Sequence, residues 1–85
     1  MLVFDLETDG LLNDATKIHC LVIYDSETDN TIIYNDKGNQ EPITRGIQRL
    51  EDADVLVGHN IIGYDIPVIK KLYPWFEPTA FVLDT

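Results

Sequence analysis

Residues 17–24, which read KIHCLVIY, form a nearly continuous apolar run. Such a run is too hydrophobic for the edge of a sheet and is typical of a strand with a neighbour on each side. Shorter apolar runs at 1–6 and 31–34 predict two further strands. The residues between the second and third runs, 25–30, are all turn-forming, which predicts a hairpin. We therefore expect the chain to begin with three strands of one sheet.

The second half of the sequence alternates between helix and strand patterns. A polar loop over residues 35–42 ends at a proline that suits the start of a helix. The apolar stripe of this helix consists of Ile43, Ile47 and Leu50. Residues 55–57 and 80–83 predict two short strands, and a second helix is expected to begin near residues 63–64. The order β-β-β-α-β-α-β predicts an α/β fold with helices packed on a mixed sheet.

The charge of the chain argues against a simple nucleic-acid-binding protein. Fifteen acidic and six basic residues give a formal net charge of −9, and no basic stripe is present to neutralise phosphates. An acidic chain can still act on nucleic acid if its carboxylates hold divalent cations, because these invert the local field. A chain of 85 residues forms at most one domain. Its single cysteine, Cys20, cannot form an internal disulfide and favours a reducing, cytoplasmic setting.

An Asp-x-Glu pattern follows two of the predicted strands. Asp5 and Glu7 end the first strand, while Asp25 and Glu27 begin the hairpin turn. Residues two apart in a strand project from the same face. Paired carboxylates are what a two-metal phosphoryl-transfer site requires, with the ions about 3.5–4 Å apart. In so acidic a chain each pair can equally be a solvated turn, so the spacing alone does not identify a site.

A third polar feature separates the fourth strand from the second helix. Residues 58–65, GHNIIGYD, run from a short apolar strand through a glycine-flanked turn into the helix, whose first turn carries Asp65. Helix capping and complementation of the helix dipole are one explanation of this acid. A functional carboxylate is the other, and the residues alone leave both open.

Both features together resemble a known family. Residues 5–11, DLETDGL, are similar to the first motif of the proofreading 3′→5′ exonucleases of the DEDD superfamily, and residues 59–65, HNIIGYD, to their second motif. Residues 17–25 and the closing residues 83–85 are most similar to the exonuclease domain of phage family-A DNA polymerases. The resemblance covers essentially the whole chain. It places the site at the first Asp-x-Glu pair and assigns the second pair to a hairpin turn.

The resemblance implies a ribonuclease-H-like fold with sheet order 3-2-1-4-5, truncated before the C-terminal helices. It implies that Asp5, Glu7 and Asp65 converge as catalytic residues and as ligands of a two-metal Mg²⁺ (or Mn²⁺) site. The residues implied to bind substrate are Thr8, Asp9, Gly10, Leu11, Asn60 and Tyr64. Among these, Leu11 would be an apolar wedge against the 3′-terminal base of single-stranded DNA. The implied reaction is hydrolysis of the terminal phosphodiester with release of a nucleoside monophosphate.

The family also has a third motif, a Tyr or His followed about one helical turn later by an Asp. Nothing after Asp65 matches it, because Pro74 and Pro78 interrupt the stretch that begins at Tyr73. We therefore expect residues 1–85 to be a partial exonuclease domain that is weakly active or inactive alone. A further segment, such as the remainder of a DNA polymerase on another chain, would complete it. The alternative is a non-catalytic exonuclease-like fragment that binds metal or a polymerase or DNA-replication partner.

The remaining expectations concern burial and location. Without C-terminal helices, one face of the sheet would be under-covered, and residues 55–57 and 81–83 would expose apolar surface. His19, within an apolar strand, is predicted to be a core or partly buried residue. Lys70 and Lys71 are predicted to form a solvated helix face. The resemblance places the protein in the cytoplasm of an infected bacterial host, without a membrane partner.

Overall fold

The computed structural model describes residues 1–38 and 40–85, and Asn39, in the predicted polar loop, lies outside the described residues. The elements in chain order are β1 (Leu2–Thr8), β2 (Ile18–Asp25), β3 (Asn30–Tyr34), α1 (Ile43–Glu51), β4 (Val55–Gly58), a π-helical turn (Ile61–Asp65), α2 (Ile66–Leu72) and β5 (Phe81–Asp84). The predicted order of strands and helices is confirmed. The π-helical turn before α2 is an addition that the sequence pattern did not indicate. Within the described residues, no helix is long and apolar enough to cross a bilayer.

The five strands form one mixed sheet in the order β3-β2-β1-β4-β5, which confirms the predicted topology. Strands β1, β2 and β3 are joined by antiparallel pairing, while β4 is parallel to both β1 and β5. The apolar strand β2 has a neighbour on each side, as its composition predicted. Because β1, β4 and β5 run in the same direction, their carboxyl ends meet at one edge of the sheet. Ligand sites in such sheets lie at this edge.

Both helices pack on one face of the sheet and enclose a single core. The predicted stripe of α1 is confirmed, since Ile43, Ile47 and Leu50 are all buried. Helix α1 approaches the sheet closely at Gly46, where a Cβ atom would lie 2.6 Å from Leu21 and 2.8 Å from the ring of Tyr34. A side chain at this position would push the helix away from the strands.

The opposite face of the sheet carries apolar side chains that the described residues leave uncovered. Phe81 is 66% exposed and Leu83 is 43% exposed. Their partners in β4, Val55 and Val57, are half-buried. Leu56 between them is completely buried, because alternate residues of a strand face opposite sides. The predicted exposure is therefore confirmed for β5 and holds only for alternate residues of β4.

The second Asp-x-Glu copy lies in the β2–β3 hairpin, as predicted. The Asp25 carboxylate accepts the backbone N–H of Glu27 at 2.9 Å and forms a salt bridge of 2.6 Å with Arg49. The hydrogen bond from Glu27, followed by the charge of Arg49, lowers the pKa of Asp25. Asp25 pairs with Leu2, at the end of β1 opposite to Glu7. Its contacts are those of a stabilised turn.

The prediction that His19 is a core or partly buried residue is wrong, since its side chain is exposed. The register between β1 and β2 shifts after Glu7, so that Cys20 pairs with Glu7 and Ile18 with Thr8. His19 is the extra residue of this β-bulge, and a bulge changes which face a side chain occupies. The alternation of buried and exposed side chains along a strand therefore does not continue across the bulge.

Candidate functional site

Asp65 is a charged residue that the fold buries, with only 4% of its surface exposed. The π-helical turn after β4 returns the chain to β1, where the Asp65 carboxylate accepts the backbone N–H of Leu6 at 3.2 Å. The register of β1 with β4 ends at Val3, so this N–H lies beyond the paired part of the two strands. The Asp65 carboxylate thus accepts the hydrogen bond that a backbone carbonyl of a neighbouring strand would otherwise accept. Its carboxylate lies against the residue between Asp5 and Glu7.

The pKa of Asp65 is raised to about 6. Burial is the main cause, the negative charge of Asp5 is the next, and the hydrogen bond from Leu6 opposes both. Asp84, at the end of β5, raises it further. In the described part of the chain, the salt bridges join Arg45 to Glu41 and Arg49 to Asp25, and neither involves Asp65. A buried carboxylate with acidic neighbours is in the electrostatic situation that a bound cation relieves.

Asp5 and Glu7 are both exposed and lie on the open face of β1. The negative charge of Asp5 raises the pKa of Asp65. The pKa of the Cys20 thiol is raised mainly by burial and further by the negative charges of Glu7 and Asp5. All three predicted ligands carry carboxylate oxygens, which Mg²⁺ and Mn²⁺ prefer, so their chemistry fits such ions. Within residues 1–38 and 40–85, however, no three His, Cys, Asp or Glu side chains gather closely enough to hold one metal ion. The structure brings Asp5 towards Asp65 but does not complete a three-ligand cluster.

Thr8 and Tyr64, both predicted to bind substrate, join the two motifs to each other. The hydroxyl of Tyr64 donates to the carbonyl of Gly10 at 2.6 Å, and the hydroxyl of Thr8 donates to the same carbonyl at 2.8 Å. The two hydroxyl oxygens are also in direct contact. The side chain of Tyr64 therefore fixes the chain that follows β1 relative to the turn that carries Asp65.

Asp9 and Leu11 have different environments within the first motif. The carboxylate of Asp9 accepts the backbone N–H groups of Thr16 and Lys17, at 2.9 and 3.1 Å, and also the hydroxyl of Thr16. These hydrogen bonds, above all those from Thr16, lower the pKa of Asp9 to about 2. Asp9 thus anchors the loop between β1 and β2. Leu11 is 75% exposed.

The conformation of the π-helical turn that ends at Asp65 involves Asn60, Gly63 and the distant Asp84. Asn60 is exposed and adopts a left-handed conformation with φ of 53°. A Cβ atom on Gly63 would lie 2.6 Å from the amide oxygen of Asn60, so glycine leaves room for that side chain. The carboxylate of Asp84 accepts the backbone N–H of Ile62 at 3.0 Å.

Asp84 is a residue near the site to which the sequence argument gave no role. Its contact with Ile62 spans 22 positions of the sequence, and no local pattern reports it. The sequence did contain one indication of a role for Asp84, because this residue directly follows a predicted strand. Polar side chains at the carboxyl ends of neighbouring parallel strands meet at one edge of the sheet.

Replacing Tyr64 with Phe is expected to lower the free energy of unfolding by about 1 kcal/mol, because the Gly10 carbonyl loses a hydrogen bond in a partly buried position. Urea denaturation followed by circular dichroism measures this change. Tyr24→Phe is the matched control, since the Tyr24 hydroxyl donates to Asp29 at an exposed position. We expect a change below about 0.5 kcal/mol there. Equal effects of both variants would show that Tyr64 does not hold the loop.

Comparison with known proteins agrees with this geometry. Residues 2–82 match the RNase_H superfamily. The chain is 33% identical over 72 residues to a DNA-directed DNA polymerase of Escherichia phage T7, and 33% identical over 72 residues to one of Enterobacteria phage T3. Each alignment covers 85% of this chain and 10% of the relative, so the chain spans about a tenth of the length of these polymerases. The resemblance to phage DNA polymerases that the motifs indicated is confirmed.

A solved structure shares the fold. The family B DNA polymerase from the hyperthermophilic archaeon Pyrobaculum calidifontis superposes with a TM-score of 0.64 at 22% sequence identity. The superposition covers 86% of this chain and 10% of that chain. At this level of identity, the comparison establishes a common architecture.

Proposed function

The chain belongs to the RNase_H superfamily, and on this basis we propose that it is the metal-dependent, proofreading 3′→5′ exonuclease segment of a phage DNA polymerase. The observation that carries the proposal is the buried Asp65 carboxylate, which has Asp5 as an acidic neighbour and has a raised pKa. Perturbed acids at the carboxyl edge of a sheet are typical of functional sites. The proposed location, the cytoplasm of an infected bacterial host, rests on the similarity to phage proteins.

In this proposal Asp5, Glu7 and Asp65 hold two divalent cations, Mg²⁺ or Mn²⁺. The ions, when bound, would supply charge stabilisation for the phosphoryl group under attack. Leu6 orients Asp65 through its backbone N–H, which keeps one carboxylate oxygen fixed on the β1 side. Because of the net charge of −9, affinity for a phosphate chain has to come from the ions and from a further segment.

The proposed substrate is the 3′ end of single-stranded DNA. Leu11, exposed on the loop after β1, offers an apolar contact to the terminal base. One hydrogen-bonded group, formed by Thr8, Gly10 and Tyr64, holds the start of the loop that carries Leu11 and is proposed to contact the same nucleotide. Asn60, exposed at the start of the second motif, is proposed to contact the same strand. Asp9 acts on the substrate through the loop that it anchors.

A non-catalytic module is the second candidate. The observation that favours it is the absence of a three-ligand cluster among the described residues. In this case the fragment binds a metal ion or a polymerase partner but performs no chemistry. Full activity in the first candidate requires the family's third motif from a further segment.

Mg²⁺ binding tests the metal site that the exonuclease proposal requires, and DNA cleavage tests whether the chain alone performs the chemistry. Isothermal titration calorimetry with Mg²⁺ is expected to detect binding that Asp5→Asn weakens about tenfold or more, because a ligand is lost. Asp54→Asn, at an exposed acid outside the site, is the matched control and should leave binding unchanged. With 5′-labelled single-stranded DNA, we expect slow or no shortening by the chain alone. Absence of Mg²⁺ binding would contradict the exonuclease proposal, whereas efficient shortening that Asp5→Ala abolishes would contradict the need for a further segment.

A further inference from the structure

The loop between β1 and β2 contains a tight turn, and the ammonium group of a lysine side chain lies at the end of this turn. Within this turn, the backbone N–H groups of Asp14 and Ala15 both donate to the carbonyl of Leu11, at 2.9 and 2.8 Å. The carbonyls of the next two residues, Leu12 and Asn13, are both hydrogen-bonded by a lysine side chain, as the last carbonyls of a helix can be. Such carbonyls attract a positive charge.

Lys71 supplies this charge from the last turn of α2. Its ammonium group donates to the carbonyl of Leu12 at 3.0 Å and to that of Asn13 at 3.1 Å. Hydrogen bonds from a charged donor are stronger than those between neutral groups. Lys70 and Lys71 are both exposed, which confirms the predicted solvated lysine face. The ammonium group of Lys70 makes no hydrogen bond or salt bridge in the described part of the chain, whereas that of Lys71 donates to two carbonyls.

The two leucines of the turn face in opposite directions. Leu12 packs against the core, and Ala15 at the end of the turn is completely buried. Leu11 is 75% exposed. The hydrogen-bonded turn keeps the large apolar side chain of Leu11 exposed to solvent, where it can contact a ligand without a change in backbone conformation. Binding by such a side chain loses little conformational entropy.

We infer that Lys71 is a positioning residue, which holds the turn so that Leu11 is presented at a fixed place on the loop that follows β1. The inference rests on the proposed function, because that function supplies the ligand of Leu11. Helix α2 follows directly from the π-helical turn that carries Tyr64 and Asp65. One continuous helical segment therefore holds the buried carboxylate, the Gly10 carbonyl and the Leu11 turn.

Amide hydrogen exchange of the free protein tests the positioning role without DNA. Lys71→Met is expected to speed exchange of the Ala15 amide about tenfold, because the turn loses two charge-assisted hydrogen bonds. Lys71→Arg should restore most of the protection. Lys70→Met removes the same charge from the same helix and should have no effect. Amides of β2 report global stability and should be unchanged in Lys70→Met, while in Lys71→Met their exchange should be faster by no more than the factor seen at Ala15. Unchanged exchange at Ala15 in Lys71→Met would overturn the inference.

A double-mutant cycle tests whether Lys71 acts through Leu11. Fluorescence anisotropy with a labelled single-stranded oligodeoxynucleotide in Ca²⁺ gives the Kd of each variant. Lys71→Met is expected to weaken binding about threefold to tenfold in the natural sequence and to have no effect in a Leu11→Ala background. Equal effects in both backgrounds would show that the charge acts on DNA directly and would overturn the inference. If the natural chain does not bind the oligonucleotide, the proposed function and the role of Leu11 fail together. Exchange at Ala15 then still decides whether Lys71 holds the turn.

Discussion

Replacing Asp65 with Asn is expected to increase the free energy of unfolding at pH 7 by about 3 kcal/mol, while the protein loses its affinity for divalent cations. The pKa of Asp65 is about 6 in the folded protein, against about 3.9 for an unperturbed Asp. Each pKa unit corresponds to about 1.4 kcal/mol, so the ionised carboxylate destabilises the fold at neutral pH. Asn removes this charge and can still accept the hydrogen bond from Leu6.

The sign of this effect predicts its pH dependence. The folded state binds the Asp65 proton more tightly than the unfolded state, so protonation stabilises the fold. This stabilisation is fully present below about pH 4 and is lost as the pH rises through about 6. The difference in stability between the natural chain and Asp65→Asn should therefore be large at pH 7 and close to zero at pH 4.

Urea denaturation over this pH range measures the difference. Asp54→Asn is the matched control, because Asp54 is exposed and its replacement should change stability by less than about 0.5 kcal/mol. A natural chain that is at least as stable as Asp65→Asn at pH 7 would contradict the raised pKa. Mg²⁺ adds a second measurement, since a cation that binds only the folded state raises Tm. We expect this increase in the natural chain and not in Asp65→Asn.

Replacing Gly58 with Ala is expected to lower the free energy of unfolding by about 3 kcal/mol. A Cβ atom at this position would overlap the side chain of Ile61 and lie 2.9 Å from the carbonyl oxygen of Phe4. A backbone oxygen in the central strand cannot move aside cheaply, and overpacking of this kind typically costs 1–3 kcal/mol. Gly58 ends β4, directly before the turn that carries Asp65. The substitution should therefore also displace Asp65 and reduce the stabilisation by Mg²⁺.

Gly38→Ala is the matched control for this substitution. Gly38 has a φ of 57°, and a Cβ atom there would have no contact within 4 Å with any described residue beyond its neighbours in the chain. Only the left-handed conformation opposes the change, which should lower stability by about 1 kcal/mol. Thermal unfolding in the presence and absence of Mg²⁺ compares both variants. If Gly58→Ala is no less stable than Gly38→Ala, the turn before Asp65 is not held tightly against β1 and β4.

Local periodicity was sufficient to predict the elements of this fold. The stripe of α1 repeats within one or two helical turns, and the apolar run of β2 reports two neighbouring strands directly. At His19 the period of two does not predict burial, because a bulge interrupts it, and this bulge becomes evident only when β2 is paired with β1. Periodicity also did not indicate the π-helical turn, which begins at Ile61, a residue whose side chain lies against Gly58.

The sequence by itself determined the order of strands and helices, the candidate carboxylates and the similarity to polymerase exonucleases, because each is carried by residues close together in the chain. Only the tertiary structure decided the burial of Asp65 against Leu6, 59 positions away, and the contact of Lys71 with Leu12 at the same separation. These contacts arise from the crossover that carries the chain from β4 back past the end of β1. Hydrophobic periodicity does not encode which side chains such a crossover brings together.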